Sequence, residues 1–203
     1  MKLFHSPTSP YVRKVMVTAI EKGVEPRIER LKAAANPINR DRSIVAQNPS
    51  GKVPTLILDD GRVLFDSRVI CAYLDAHGEG PSLMPEGEKR FDVMTLEALA
   101  DSILDAALLI RYERLVRPPE LFSAGWHDGQ MEKIDSALDA LAQRWLPLLG
   151  EPIHAGSVAV GCALGYLDFR QPGKDWRSTH PKLSGWFAGF SRRPSMIATV
   201  PQG

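Results

Sequence analysis

The chain has 203 residues, of which 44% are hydrophobic and 24% charged, and its formal net charge is +1. These values are ordinary for a globular protein of one large or two small domains. The near-neutral charge and the interleaved basic and acidic residues argue against a nucleic-acid-binding or membrane-surface protein. The sequence shows neither an apolar run of about 20 residues nor a signal-peptide pattern, so we expect a cytoplasmic protein.

The two cysteines, Cys71 and Cys162, lie far apart in the chain and lack the spacing of CxxC motifs or Cys/His metal sites. We expect both to be small buried residues, because free cysteine is commonly buried. The sequence therefore predicts neither a disulfide framework nor a bound metal.

The first 77 residues alternate short β-like runs with helical patterns. The predicted elements are a strand in KLFH, a helix over 10–22, a strand over 26–31, a short helix or turn over 37–46, strands over 53–58 and 62–65, and a helix from 66 or 67 to about 76. Asp60-Gly61 is a hairpin signal between the last two strands. The order β-α-β-α-β-β-α predicts a mixed sheet with helices packed on it.

Residues 78–87 are rich in glycine and proline, which is typical of a linker. The helical patterns that follow cover 91–114, 128–146, 157–169 and 183–190, and Pro118-Pro119 ends the first of them. We therefore predict a first domain over 1–77, a linker over 78–87 and an all-helical second domain over 88–203.

Ser9, followed by Pro10, is typical of a helix start, with serine as the N-cap and proline at the first helical position. The same helix terminus carries a partial positive charge that would stabilise a thiolate. No cysteine lies within residues 6–11, so any thiol at this terminus belongs to a bound ligand. Structural capping and thiolate stabilisation both remain open from this motif alone.

Asn48-Pro-Ser-Gly-Lys-Val-Pro54 leads into a predicted strand, where a proline is tolerated. A cis bond before Pro54 would turn the Val53 backbone outward to pair with a peptide-like ligand, although only about 5–6% of such bonds are cis. Lys52 is a candidate for binding an anionic group, and a solvated surface lysine is the alternative.

Asp66 and Ser67 lie between a predicted strand and a predicted helix. Ser67 suits a helix cap, and its hydroxyl together with the helix N-terminal amides suits a ligand carboxylate. Asp66 is placed to pair with an ammonium group. Simple capping of the helix explains the pair equally well.

Taken together and in this order, the motifs are more specific. The strings NPSGKVPTL and FDSRVICAYL, within the β-α-β-α-β-β-α pattern, resemble the thioredoxin-like domain of glutathione transferases. The resemblance extends over the whole chain, because an all-helical domain follows the linker. SPTSPYVRKV and LEALADSILDA are similar to the YibF-type bacterial branch. The implied fold class is an α+β thioredoxin-like N-terminal domain followed by an all-α C-terminal domain.

This resemblance implies a glutathione site in the first domain. Ser9 would contact the glutathione sulfur, and the Val53 backbone would pair with the cysteinyl moiety beside a cis Pro54. Asp66 and Ser67 would bind the γ-glutamyl end.

Lys52 would approach the glycyl carboxylate, and Arg68 would support the site. The implied function is a homodimeric glutathione transferase of detoxification type, with glutathione as cosubstrate, a small-molecule electrophile as partner and no metal. The lack of cysteine in residues 6–11 argues against thiol–disulfide exchange. The alternatives are a glutathione-binding protein of peroxidase or reductase type and a non-catalytic interaction protein on the same fold.

Glu97, Asp101 and Asp105 recur at four-residue spacing and so share one helix face. We expect this face to be exposed or to face a dimer partner. The alternative is a wall of the substrate cleft, for which the nearby candidates are Arg111, Tyr112 and Arg114. The resemblance further implies that the partner subunit's Asp101 reaches the bound glutathione.

Ser157-Val-Ala-Val160 departs from the family pattern at the start of a buried helix. The family has Ser-x-Ala-Asp there, and this chain lacks the aspartate. We expect Ser157 to cap the helix without that support, which would cost about 1 kcal/mol.

Overall fold

The computed structural model describes residues 1–171 and 173–202. The chain forms two compact units, one comprising Met1–Met84 with the C-terminal residues from Pro194 onward, the other comprising Pro85–Arg193. The predicted second domain, 88–203, includes Pro172 and Gly203, which lie outside the described residues. Within the described residues, every helix is too short or too polar to cross a membrane.

The first unit is built on a four-stranded mixed sheet in the order β2-β1-β3-β4. Its elements are β1 (Lys2–His5), α1 (Pro10–Glu21), β2 (Glu29–Lys32), α2 (Arg42–Gln47), β3 (Thr55–Ile57), β4 (Val63–Leu64) and α3 (Ser67–His77). Strand β1 runs parallel to β2 and antiparallel to β3, and β3 runs antiparallel to β4. The predicted β-α-β-α-β-β-α order is confirmed.

The strand predicted over 26–31 is displaced. A 3₁₀ turn occupies Glu25–Arg27 and β2 begins at Glu29, which pairs with Lys2. The reason is Pro26, whose fixed φ suits the first turn of a helix and which has no N–H for a strand ladder. The strands predicted over 53–58 and 62–65 are correct in place but shorter.

The two faces of the sheet are buried by different helices, because alternate strand residues point to opposite sides. Leu3 and Leu56 belong to a larger cluster with apolar side chains of α1 and α3. Phe4 lies on the other face and packs with Ile44 of α2. Helices α1 and α3 therefore share one face, and α2 covers the other.

The second unit is all-helical, as predicted. Its helices are α4 (Lys89–Leu115), α5 (Ala124–Ala140), α6 (Leu146–Leu149), α7 (Ala155–Arg170), α8 (Trp176–Thr179) and α9 (Pro181–Phe190). The helix predicted over 128–146 begins earlier and ends in a π-helical turn, Leu141–Trp145. Such wider turns interrupt α-helices locally, and Pro147 follows directly in α6. Helix α7 is buried on nearly all sides and packs against α4.

Both cysteines are buried, as predicted: Cys71 lies in the α1–α3 core and Cys162 in α7.

The C-terminal residues belong to a different unit from the one predicted. Helix α10 (Pro194–Ala198) belongs to the first unit and packs on α1. The buried Arg13 guanidinium donates to the Met196 carbonyl at 3.1 Å and to Thr199 Oγ1 at 3.4 Å. The prediction that the residues after 193 belong to the helical domain is therefore wrong for the part of this segment that the structure describes. The long-range contacts of Arg13 attach these residues to the first unit.

The start of α7 also differs from the prediction. Its N-cap is His154, and Ser157 is the third helical residue. The Ser157 N–H donates to His154 Nδ1 at 3.2 Å, and the His154 N–H donates to Ser157 Oγ at 3.0 Å. The helix thus has a complete capping box one turn earlier than expected, and the absent aspartate at position 160 removes no cap.

We expect His154 to make the stability of the protein dependent on pH. Its Nδ1 accepts from Ser157, so Nε2 carries the proton and donates to the Leu148 carbonyl at 3.1 Å. Burial is the main cause that lowers the pKa of His154. Above about pH 6.5, the ordinary histidine pKa, the cap contributes fully. As pH falls below that value the unfolded chain binds a proton that the folded cap resists, and stability is lost.

We therefore expect His154→Asn, which keeps an N-cap acceptor without titrating, to lose less stability on acidification than the parent protein. Urea unfolding at about pH 7.5 and about pH 5.5 measures the difference. Equal losses for both proteins would show that His154 does not carry the pH dependence.

Candidate functional site

Three predicted motifs meet at one end of the sheet. Phe4 pairs with Thr55, and Leu56 pairs with Leu64, so β1 and β4 end where β3 begins. Ser9 follows the end of β1, Val53 precedes the start of β3, and Asp66 follows the end of β4. We call this region, defined by Ser9, Val53 and Asp66, the sheet end.

Ser9 caps α1, as predicted. Its Oγ accepts from the Val12 N–H at 3.3 Å, and Pro10 occupies the first helical position. The Ser9 N–H donates to the Ser6 carbonyl at 3.1 Å, which closes the turn between β1 and α1. A hydroxyl whose oxygen accepts in this way keeps its own proton to donate.

A buried asparagine that the sequence reading did not single out holds the loop before β3. Asn48 Nδ2 donates to Thr55 Oγ1 at 2.9 Å and to the Lys52 carbonyl at 3.3 Å. Its Oδ1 accepts from the Ser50 N–H at 3.0 Å. Thr55 Oγ1 in turn donates to the Lys52 carbonyl at 2.9 Å. These bonds fix the backbone on both sides of Val53.

Val53 itself is half-buried, and the Val53–Pro54 peptide bond is cis, as the resemblance implies. Its side chain packs against both core clusters of the unit. Within residues 1–171 and 173–202, its N–H and C=O make no hydrogen bond. The main chain at Val53 is therefore available to a peptide-like ligand.

The helix α3 cap differs from the prediction. Asp66 is the N-cap and accepts from the Arg68 N–H at 3.0 Å, while the buried Ser67 is the first helical residue. The aspartate is favoured at the N-cap because its carboxylate also pairs with the Arg68 guanidinium at 3.0 Å. The Phe65–Asp66 peptide bond is also cis, which the sequence reading did not predict.

Opposing effects act on the Asp66 carboxyl. Partial burial favours its protonated form, but hydrogen bonds from Arg68 and the charges of Arg68 and Lys14 outweigh it and lower the pKa of Asp66. Lys14 is only 1% exposed. Its charge near Asp66 was not predicted, since a lysine at that position of α1 is usually solvated. Asp66 is therefore an ionised carboxylate at neutral pH.

The remaining predicted residues of the first unit, Lys52 and Arg68, are exposed. The Lys52 ammonium makes no ion pair with any described residue. No group of three or more histidine, cysteine or acidic side chains in the described parts of the chain is arranged to hold a metal.

In the second unit, the expected exposed acidic face of α4 is wrong for two of its three residues. Glu97 and Asp101 are 6% and 7% exposed, and only Asp105 is exposed. Four-residue spacing places side chains on one side of a helix, but α4 is covered along part of that side. Tyr112 is half-buried, and burial is the main cause that raises its pKa.

Two family models match the chain. The model of the glutathione S-transferase N-terminal domain matches residues 8–77, and that of the C-terminal domain matches residues 124–189. The first match contains Ser9, Val53 and Asp66.

Relatives that match this chain over nearly its full length support the same family as the two models. The GST-like protein YibF of Escherichia coli (strain K12) is 34% identical over 99% of this chain and 98% of its own length. A glutathione transferase family member from Pseudomonas fluorescens Pf-5, solved with bound glutathione, has a TM-score of 0.97 and 46% identity over 100% of this chain and 99% of that one. A second structure from that organism, with bound S-(propanoic acid)-glutathione, has a TM-score of 0.93 and 45% identity over 100% of both chains.

Proposed function

This chain belongs to the glutathione S-transferase family, and on that basis we propose that it binds glutathione at the sheet end and transfers it to an electrophilic small molecule. The observation that carries this proposal is the convergence of Ser9, the unpaired Val53 main chain and the ionised Asp66 at one end of the sheet. The glutathione held by the Pseudomonas fluorescens relative supports it.

The proposed binding mode uses each group for the chemistry it offers. The Val53 N–H and C=O would pair with the cysteinyl backbone of glutathione, and the Asp66 carboxylate would attract the γ-glutamyl ammonium. The first turn of α3, starting at Ser67, presents N–H groups and a partial positive charge to the γ-glutamyl carboxylate. Lys52, exposed and unpaired with any described carboxylate, suits the glycyl carboxylate, and Arg68 holds Asp66 in place.

The proposed chemistry is activation of a ligand thiol. The N-terminus of α1 and the Ser9 hydroxyl would stabilise the glutathione thiolate and so lower its pKa. The thiolate then attacks the electrophile. S-(propanoic acid)-glutathione in the second Pseudomonas fluorescens structure carries a substituent on sulfur. It supports an electrophile joined at that atom in this chain too.

We also propose a cytoplasmic homodimer. Phe65 and Val69 of the first unit and Phe91 and Met94 of the second are large apolar side chains with 41–61% of their surface exposed. We propose that these side chains are covered by a second copy of the chain in the dimer. A mass in solution of one 22.4 kDa chain would rule the dimer out. Cys71 and Cys162 are not joined in a disulfide, which is typical of proteins in the reducing cytosol.

Binding of glutathione is the first test. We expect the protein to be retained on immobilised glutathione and to melt at a higher temperature when free glutathione is added. Flow-through without a thermal shift would contradict the transferase and leave a non-catalytic interaction protein on this fold.

Ser9→Ala tests the chemistry. We expect glutathione still to bind and the pKa of its bound thiol to rise by about one to two units, because a hydrogen bond to a charged group is worth about 1.5–3 kcal/mol. Ultraviolet absorbance of the thiolate against pH measures this shift.

Ser123→Ala is the matched control, since Ser123 caps α5 through the Trp126 N–H in the same way but lies in the other unit. It should lose a similar cap energy without altering the thiol titration. An unchanged titration in Ser9→Ala would remove Ser9 from the chemistry.

A further inference from the structure

An open cavity of about 690 Å³ lies within the second unit. It is bordered by α4, α5 and the segment that follows α7, and its basic lining residues are Arg114, His127, Arg170 and Lys174. Small-molecule sites usually occupy roughly 300–1,000 Å³ and carry a few placed polar groups. The cavity has a suitable size, and its lining carries these basic side chains together with the carboxylates of Asp135 and Asp175.

Arg170 is the least satisfied of these cations. Its Nε is buried and has no hydrogen-bond partner among the described residues. The guanidinium lies over the Phe169 ring, 3.8 Å from the ring centroid, and interacts with the Tyr166 hydroxyl. Burial, followed by the positive charge of Arg111, lowers the pKa of Arg170. The positive charge of Arg111 therefore disfavours the charged form of Arg170.

The carboxylates in and near this cavity, of which Asp135 and Asp175 line it, already have partners. Asp135 pairs with Lys174, and Asp168 pairs with Arg177. Asp175 caps α8 by accepting from the Ser178 N–H at 3.2 Å. Neither Arg111 nor Arg170 forms an ion pair with any residue in the described part of the chain.

Arg114 is partly compensated through a histidine. His127 Nδ1 lies 3.1 Å from Asp128, which favours the tautomer with its proton on Nδ1. His127 Nε2 then accepts from the Arg114 guanidinium at 3.3 Å. Arg114 is therefore held at the cavity wall, while Arg170 and Arg111 have no counter-charge among the residues that the structure describes.

We propose that Arg170 binds the carboxylate of a small molecule in this cavity, and that the protein therefore prefers electrophiles that carry a carboxylate. The inference deepens the proposed function and rests on it for the identity of that molecule as the electrophile. Arginine suits the role because its planar fork matches the two oxygens of a carboxylate. A turn of the flexible Arg170 side chain into the cavity presents Nε and a terminal nitrogen to one carboxylate.

A matched pair of electrophiles tests the preference: 4-chloro-3-nitrobenzoate and 4-chloro-3-nitrobenzamide. In both, the glutathione sulfur bonds to the ring carbon that bears chlorine, the C–Cl bond breaks, and chloride leaves with the bonding pair. The thiol proton goes to solvent. The two differ in the charge of the remote group and in how strongly it withdraws electrons, so each kcat/KM is divided by the rate constant of the uncatalysed reaction with glutathione. The benzoate-to-benzamide ratio of these corrected values reports recognition of the carboxylate.

We expect the corrected kcat/KM to favour the benzoate, and Arg170→Met to reduce the corrected benzoate-to-benzamide ratio roughly 10- to 100-fold. Arg170→Lys keeps the positive charge but loses the planar fork of the guanidinium. Its corrected benzoate-to-benzamide ratio should lie between those of the parent protein and of Arg170→Met. Arg192→Met, a change of an exposed arginine outside the cavity lining, is the control and should keep the parent ratio. A parent ratio near one, or one unchanged in Arg170→Met, would overturn the proposal.

Direct binding separates this proposal from the proposed function. Titration calorimetry with 3-nitrobenzoate, which has no leaving group, is done without glutathione. We expect binding to the parent protein and a loss of affinity of roughly 10-fold or more in Arg170→Met.

The outcomes distinguish the two proposals. Absence of binding would overturn the carboxylate site while glutathione retention still supported the transferase. Tighter binding of inorganic phosphate than of 3-nitrobenzoate would assign the site to phosphate esters and overturn the carboxylate. Failure to bind glutathione would overturn the proposed transferase function but would not affect the proposed anion site.

Discussion

Replacing Gly78 by alanine is expected to lower the free energy of unfolding by about 3 kcal/mol, at the upper end of the usual cost of overpacking. A Cβ at this position would lie 2.6 Å from Lys22 Cβ, 2.7 Å from the Lys22 carbonyl oxygen and 2.9 Å from the Leu74 carbonyl oxygen. Two of the three contacts are with backbone, which cannot move aside as the end of a side chain does.

The contact matters because the end of α1 and the residues after α3 are joined here. The Glu79 N–H donates to the Lys22 carbonyl at 2.8 Å. The buried Lys22 ammonium donates to the carbonyls of Gly80 and Pro81 and pairs with Asp75 at 3.1 Å. Moving the chain away from an alanine Cβ would weaken these bonds as well.

Urea unfolding measures the effect, and Gly129→Ala is the matched control. Gly129 lies inside α5 with nothing within 4 Å of an added Cβ. Alanine there should stabilise the protein by about 0.5–1 kcal/mol, because glycine is a poor helix former. If Gly78→Ala were as stable as the parent protein, the end of α1 and the residues after α3 would not lie as close together as described.

Asn48→Ala is the second large expected effect, with a loss of about 2–4 kcal/mol in the free energy of unfolding. The Asn48 side chain is 1% exposed and bonds to Ser50, Lys52 and Thr55. Removing it leaves buried donors and acceptors without their partners, which costs more than the net energy of the bonds themselves.

The same change should weaken glutathione binding at temperatures where the variant is still folded. The reason is that the Asn48 bonds hold the backbone on both sides of Val53, the segment proposed to pair with the cysteinyl moiety. Calorimetric titration of glutathione measures this loss. Asn39→Ala is the control, since the Asn39 side chain is exposed and its position is in the loop before α2. Unaltered affinity in Asn48→Ala would show that binding does not depend on this loop geometry.

The proposed carboxylate site changes what is expected of the second unit. The exposed acidic stripe predicted on α4 does not exist as such, because Glu97 and Asp101 are buried. The charges that form no ion pair with any described residue are instead cations, Arg111 on α4 and Arg170 at the end of α7. If the experiments support the site, substrate choice in this chain depends on an anionic group of the electrophile.

Much of the first unit follows from short-range signals. Ser9-Pro10 predicts the start of α1 and Asp60-Gly61 the hairpin, where Gly61 has a φ of 85° that favours glycine. Caps and turns depend on hydrogen bonds between residues two to four positions apart, so the residues themselves specify them. The family strings around Val53 and Asp66 extended this to the site, although α3 is capped by Asp66 rather than Ser67.

By itself, then, the sequence determined the order of elements, the family and the three motifs of the candidate site. The tertiary structure alone decided the burial of Lys14, Glu97 and Asp101, the hydrogen bonds of Asn48, and the docking of α10 on α1 through Arg13. The physical reason is distance along the chain. Arg13 and Met196 are 183 positions apart, and a polar side chain is buried only when such remote segments supply its partners.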